Sequence, residues 1–348
     1  MPTLRNGADI ALACLFAALA GSACAAPPVQ LPYSWGSVAI GGGGFVTAVI
    51  PSRSEPGVTY ARTDVGGAYR WDATARRWIP LLDWVDEDQT GYLGVDALAV
   101  DPHKASTIYL LAGIAYLNGG RSAILRSTDY GKTFSVVDVS AQFKTHGNGM
   151  GRQDGERLAV DPDAGNTLYL GSRYDGLFKS QDAGRTWTRM RSLDVTATPN
   201  GAGIDIVLPD PASKASARRL FVGVARSGSA GPNLYRSDDG GASFAPIAGA
   251  PTGLTPQRAA LDGAGNLYIT YANGAGPHPD RSGSEPMDRG QVWKYHIASG
   301  AWWSRPSTPT WRRAMPRATA SSPAATAAPA GPTWWRAASC ATPPACPG

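Results

Sequence analysis

An eight-residue pattern, Ser-x-Asp-x-Gly-x-(Thr or Ser)-(Phe or Trp), occurs three times in this chain, at residues 127–134, 180–187 and 237–244. The leading serines are 53 and 57 residues apart, and a period of that size restricts the chain to repeat architectures. Ser and Asp side chains bond to backbone N–H groups inside tight turns, and Gly at the fifth position takes a conformation that residues with a Cβ avoid. The closing Phe or Trp then re-enters a strand and can be buried. Asp129, Asp182 and Asp239 are therefore read as structural box aspartates.

The flanks of the boxes repeat as well. Residues 97–102 (ALAVDP) and 107–111 (TIYLL) form an apolar strand, an Asp-Pro turn and a second strand. The pattern returns at 158–162 and 167–171, and more weakly at 206–211 with 220–223 and at 260–262 with 266–269. A third short strand precedes each box and a fourth follows the aromatic. Four short strands in about fifty residues make one blade of a β-propeller. The expected fold is an all-β, box-containing propeller of about five blades over residues 26–302.

Residues 1–25 read as a signal peptide. Arg5 is followed by an apolar run over 10–20, too short to span a bilayer, and Ala23-Cys24-Ala25 fits small-residue cleavage. Export to the periplasm or the medium is expected. A lipid anchor at Cys24 would want a large apolar residue just before it, and Gly21-Ser22-Ala23 supplies none. Cys14 and Cys24 lie in this leader, and Cys340 and Cys346 near the end, so the propeller region has no disulfide framework and depends on apolar burial.

The net charge of +5 comes from the tail arginines 305, 312, 313, 317 and 336; residues 27–301 are balanced. That gives no electrostatic case for nucleic acid or an anionic membrane. His103, His146, His278 and His296 are isolated from one another in sequence, so no metal site and no cofactor is expected. Residues 303–348 are rich in Ala, Pro, Ser, Thr and Arg and hold no acidic or branched aliphatic residue. A disordered tail is expected, the product of a shifted reading frame or a linker to a further module.

Chemistry-bearing residues concentrate in the first repeat. Gly41 to Gly44 feed a strand at 45–50, without the Lys-Ser/Thr of a phosphate-binding loop, so backbone crowding near the propeller axis is the better reading. Residues 60–72 follow, where Thr63, Asp64 and Gly66 keep the polar-turn logic of the boxes. On its own chemistry Asp64 reads as a turn-capping carboxylate. Asp86, Glu87 and Asp88 read as a solvated loop. Trp84, Tyr92 and Tyr116 lie in loops, where aromatic rings serve either as sugar-stacking platforms or as core filler. Residues 146–157 are a Gly-rich, polar inter-blade connection, on the face where propellers bind ligands.

Residues 41–46 (GGGGFV), 60–71 (YARTDVGGAYRW), 80–84 (PLLDW) and 155–162 (GERLAVDP), with the three boxes, resemble glycoside hydrolase family 74, the xyloglucan-cleaving endoglucanases. The boxes alone are shared with sialidases and with non-catalytic propellers that bind glycan or protein; the 62–71 run is the specific part. A sialidase would also need an arginine cluster that the boxes here do not bring. The resemblance implies two tandem seven-bladed propellers and inverting hydrolysis of a β-1,4-glucan backbone decorated with xylose. It implies a polysaccharide partner, xyloglucan or a related β-glucan. It places the general base on Asp64 and the general acid in a second propeller, beyond the roughly five blades of the first one present here. A chain without that acid is expected to be inactive on the polysaccharide.

Overall fold

A computed structural model describes residues 40–226, 231–279 and 286–305. The leader with its cleavage site, the end of the tail and all four cysteines lie outside these residues. Twenty strands form five four-stranded antiparallel sheets, each built of strands consecutive in sequence. Blade 1 holds β1 (Val46–Pro51), β2 (Thr59–Thr63), β3 (Ala68–Asp72) and β4 (Arg77–Pro80). Blade 2 holds β5 (Val95–Asp101), β6 (Lys104–Ala112), β7 (Ala123–Ser127) and β8 (Ser135–Asp138). Blade 3 holds β9 (Leu158–Val160), β10 (Leu168–Gly171), β11 (Leu177–Ser180) and β12 (Thr188–Arg189). Blade 4 holds β13 (Ile204–Pro209), β14 (Leu220–Val224), β15 (Leu234–Ser237) and β16 (Ala245–Pro246). Blade 5 holds β17 (Thr255–Leu261), β18 (Asn266–Ala272), β19 (Gly290–His296) and β20 (Trp302–Arg305). The expected arrangement, a propeller of five blades, is the observed one.

Period-two alternation explains why these strands read as nearly continuous apolar runs: both faces of a middle blade are covered. In β6, Ile108, Leu110 and Ala112 face blade 1, packing with Tyr60, Leu81 and Leu82. Tyr109 and Leu111, the alternate residues, face blade 3 and meet Leu158, Leu168, Phe178 and Trp187. The same sharing recurs between blades 3 and 4, around Tyr169, Ile204 and Val222, and between blades 4 and 5, around Phe221, Ile269 and Tyr271. Each fully buried Leu or Ile in these layers contributes about 1.5–3 kcal/mol.

The boxes close the turns from third to fourth strand. In the first, Ser127 Oγ accepts from the Gly131 amide at 2.8 Å and donates to Asp129 Oδ1 at 2.7 Å. Asp129 also accepts from the Thr133 amide at 3.0 Å and the Thr133 hydroxyl at 2.6 Å. Asp182 and Asp239 repeat the arrangement with Thr186 and Ser243. Gly131 has φ +81°, and a Cβ there would meet Leu81 of blade 1 at 2.8 Å, so each turn is pressed on its neighbour. Of the closing aromatics Trp187 is buried; Phe134 and Phe244 are only partly so.

The propeller runs further than its sequence suggests. Trp303, in β20, pairs with Lys294, and Ser304 with Trp293, so residues 303–305 belong to blade 5 and not to the tail. The reason is aromatic packing: Trp302 lies 4.7 Å from Tyr295 and 5.9 Å from Trp293, and its Nε1 donates to the Ala248 carbonyl at 2.9 Å.

Candidate active site

Box turns and Asp-Pro turns gather at one end of the blades. The turns from second to third strand and the connections between blades gather at the other. Asp64 follows β2 at this second end. Its turn is capped by Thr63, whose Oγ1 accepts from the Gly66 amide at 2.9 Å and donates to the Gly67 carbonyl at 2.9 Å. The turn-cap reading of Asp64 is therefore corrected. Its carboxylate leaves the turn: Oδ1 accepts from the Phe45 amide at 2.7 Å and Oδ2 from Arg152 Nε at 3.0 Å. These partners are 19 and 88 residues away. With Thr63 satisfying the local backbone, the acid is available for a longer-range role.

The glycines make room for this. Gly44 has φ +91°, and a Cβ on it would sit 2.9 Å from Asp64 Oδ1. A Cβ on Gly66 would fall 1.9 Å from the Gly43 carbonyl oxygen. Crowding against the Asp64 turn is thus the right reading of Gly44; a Cβ on Gly42 would instead meet the Tyr69 hydroxyl at 1.9 Å, and one on Gly41 or Gly43 would meet nothing within 4 Å.

Two residues before Asp64, Arg62 points inward and is fully buried. Its Nε and Nη2 grip the Glu156 carboxylate at 2.9–3.1 Å. Nη1 donates to Thr47 Oγ1 at 2.8 Å and to the Arg152 carbonyl at 2.8 Å, and Nη2 to the Asp154 carbonyl at 3.2 Å. Glu156 also accepts from Arg258 of blade 5 at 2.7 Å and from the Leu98 amide of blade 2 at 2.9 Å. Burial alone would raise its pKa; Arg62, Arg258 and the Leu98 amide outweigh that and hold it below the ordinary value. Arg258 further donates to the Thr47 carbonyl at 2.8 Å, joining the fifth blade to the first.

Deeper in, Asp96 accepts from Arg173 at 2.6 and 2.8 Å and from the Thr145 hydroxyl at 2.5 Å. Against its own desolvation, Arg157 and Arg173 keep it well below the usual carboxylate range. Asp154 and Asp205 behave oppositely. Burial drives Asp205 up to about 7, despite Arg157 and nearby amides, and neither oxygen makes a hydrogen bond of proper geometry. Asp154 rises well above its ordinary value through burial and repulsion from Asp205.

The aromatic candidates separate. Tyr92 is 4% exposed and packs in the core between blades 1 and 2, so its ring is core filler and offers no stacking face. It lies in the last turn of a 3-10 helix (Glu87–Leu93) whose buried residues are Gly91 and Tyr92. Trp84 is 38% exposed and leans on Phe134 at 6.2 Å. Tyr116 is 65% exposed, stands edge-on to His146 at 5.4 Å, and its hydroxyl accepts from Asn148 at 2.8 Å. His146 and Asn148 belong to the connection that carries Arg152. Sequence reasoning gave that connection a face but no roles; Arg152, Asp154 and Glu156 are additions from the structure. Their signal was charge at alternate positions in a Gly-rich stretch, with Glu156 also inside the 155–162 run that carries the family resemblance.

No family model matches the chain. A xyloglucanase from Paenibacillus sp is 42% identical over 305 residues, covering 82% of this chain and 28% of that protein. The crystal structure of a GH74 enzyme from Niastella koreensis superposes with TM-score 0.70 at 47% identity, covering 77% of this chain and 38% of its own. That of a GH74 xyloglucanase from Xanthomonas campestris gives 0.68 at 42%, covering 78% and 39%. The chain thus spans under a third of the curated relative and under two fifths of these structures. By this agreement of sequence and blade geometry, the chain belongs to glycoside hydrolase family 74.

Proposed function

We propose that this propeller is the base-bearing part of an exported, inverting xyloglucan hydrolase, with Asp64 as the general base. The observation that carries the reading is the placement of the Asp64 carboxylate, freed from its turn and fixed by Phe45 and Arg152. A carboxylate oxygen has two lone-pair sites, so each oxygen keeps acceptor capacity for a water proton. In the reaction that water attacks the anomeric carbon while Asp64 takes its proton. The bond to the leaving oxygen breaks on the opposite face, where an acid about 6.5–9.5 Å from the base supplies the proton. The family resemblance puts that acid on a second propeller. The likeness to xyloglucanases supports a decorated β-1,4-glucan as substrate, and Tyr116 and Trp84, two of several exposed rings, would stack on its sugars. The leader-like residues 1–25 support export.

A leaving group that departs without a proton isolates the base. The chain should hydrolyse an activated aryl β-glycoside of a xyloglucan oligosaccharide. Asp64→Asn should reduce the aryl glycosidase rate about 10²–10⁴-fold. Equal rates for the native chain and Asp64→Asn, or no aryl glycoside hydrolysis alongside retained xyloglucan binding, would replace the hydrolase reading with a glycan-binding one.

A further inference from the structure

Arg152 and Asp64 close a circuit. The Arg62 guanidinium holds the Arg152 backbone carbonyl at 2.8 Å, and the Arg152 side chain returns to Asp64, two residues from Arg62, at 3.0 Å. The Arg152 side chain is itself fixed at two further points. Its Nη1 donates to the Gly149 carbonyl at 3.2 Å, and its guanidinium lies 5.8 Å from the centre of the Phe45 ring. Phe45 is also the residue whose amide holds the other Asp64 oxygen. Both members of the pair are largely shielded, with side-chain exposures of 13% and 8%. A shielded ion pair with supporting hydrogen bonds fixes geometry better than an exposed one.

We propose that Arg152 is the positioning residue of the base: it holds the Asp64 carboxylate in one orientation, and it touches no reacting atom. This rests on the reading of Asp64 as the base. The Arg152 guanidinium lies over Phe45, a ring that is itself 44% exposed, so its removal should leave the blade intact and release one carboxylate oxygen.

Two measurements on the full chain test it. With the aryl glycoside, Arg152→Met should lower kcat about 10²-fold, the cost expected of a misplacement near 1 Å, with KM changed less than threefold. Arg152→Lys should recover part of the rate, and added guanidinium should partly restore Arg152→Ala, whose cavity can take it. A structural role alone would give lower thermal stability without that rescue. Independently of catalysis, three-bond couplings should show one χ1 rotamer for Asp64 in the native chain and averaging in Arg152→Met. Native kcat in Arg152→Met, or an Asp64 rotamer indifferent to the substitution, overturns the proposal. If the aryl glycoside is not hydrolysed by any form, the reading of Asp64 as base fails, and the χ1 measurement still decides whether Arg152 orients it.

Discussion

Gly44 shows how tightly the residues around Asp64 are drawn. It sits at φ +91°, and a Cβ would also lie 3.1 Å from the Gly66 amide nitrogen. Left-handed backbone costs an L-residue about 1–2 kcal/mol. Gly44→Ala should therefore lose stability of that order in urea titrations and lose disproportionately more aryl glycosidase activity, because the atom it pushes is Asp64 Oδ1. Asp205 gives a second prediction at this scale. Its folded pKa, about 7, is above the ordinary 3.8, so between about pH 4 and 7 the folded state binds more protons than the unfolded state. Stability from this group must then fall as pH rises through that window, by at most about 1.4 kcal/mol per pH unit. Asp205→Asn should flatten that slope in urea titrations at pH 4, 5.5 and 7; an unchanged slope would mean that the carboxyl ionises freely in place.

Among elements, the box turns carry an opposite pH signature. Hydrogen bonds from Thr133 and Ser127 bring Asp129 down to about 2, and those from Ser243 and Ser237 do the same for Asp239. Folded values below the unfolded one mean stabilisation that is complete above about pH 4 and disappears as pH falls through 2. The destabilisation caused by Asp129→Asn or Asp239→Asn at pH 6 should shrink towards zero at pH 2, read from thermal unfolding. These turns were legible in the sequence because every partner of the box aspartate lies within four residues. The blade count was legible because the apolar strands flanking the boxes repeat with them. Asp64 was not: its partners are 19 and 88 residues away, and a local reading assigned it the cap that Thr63 provides. Tyr92 stayed open between platform and core filler for a similar reason, since its burial depends on the packing of blade 2 on blade 1. The last strand was hidden because β20 opens on two tryptophans in a stretch without aliphatic residues.

Across the whole molecule, one side chain reaches three blades. Glu156, on the way into blade 3, meets Arg62 of blade 1, Leu98 of blade 2 and Arg258 of blade 5. Glu156→Ala would strand Arg62 in the interior and should cost about 3 kcal/mol or more, as removing one partner of a buried pair does. Hydrogen exchange should quicken in β2, β5 and β17 together; exchange confined to one of them would show that the blades are held independently. The segment around Glu156 is pinned by blade 5 at further points, from the Gly155 amide to the Gln257 carbonyl at 2.8 Å and from the Gly151 amide to the Gly276 carbonyl at 2.8 Å. That has a consequence in time. Asp64 leaves the ribosome early, but the stretch carrying its Arg152 partner gains these anchors only after residues 257–276 have been made. The first blade can pair its strands as it emerges, while the geometry at Asp64 waits for the fifth. A chain interrupted within blade 5 would hold well-formed early blades around an unfinished centre.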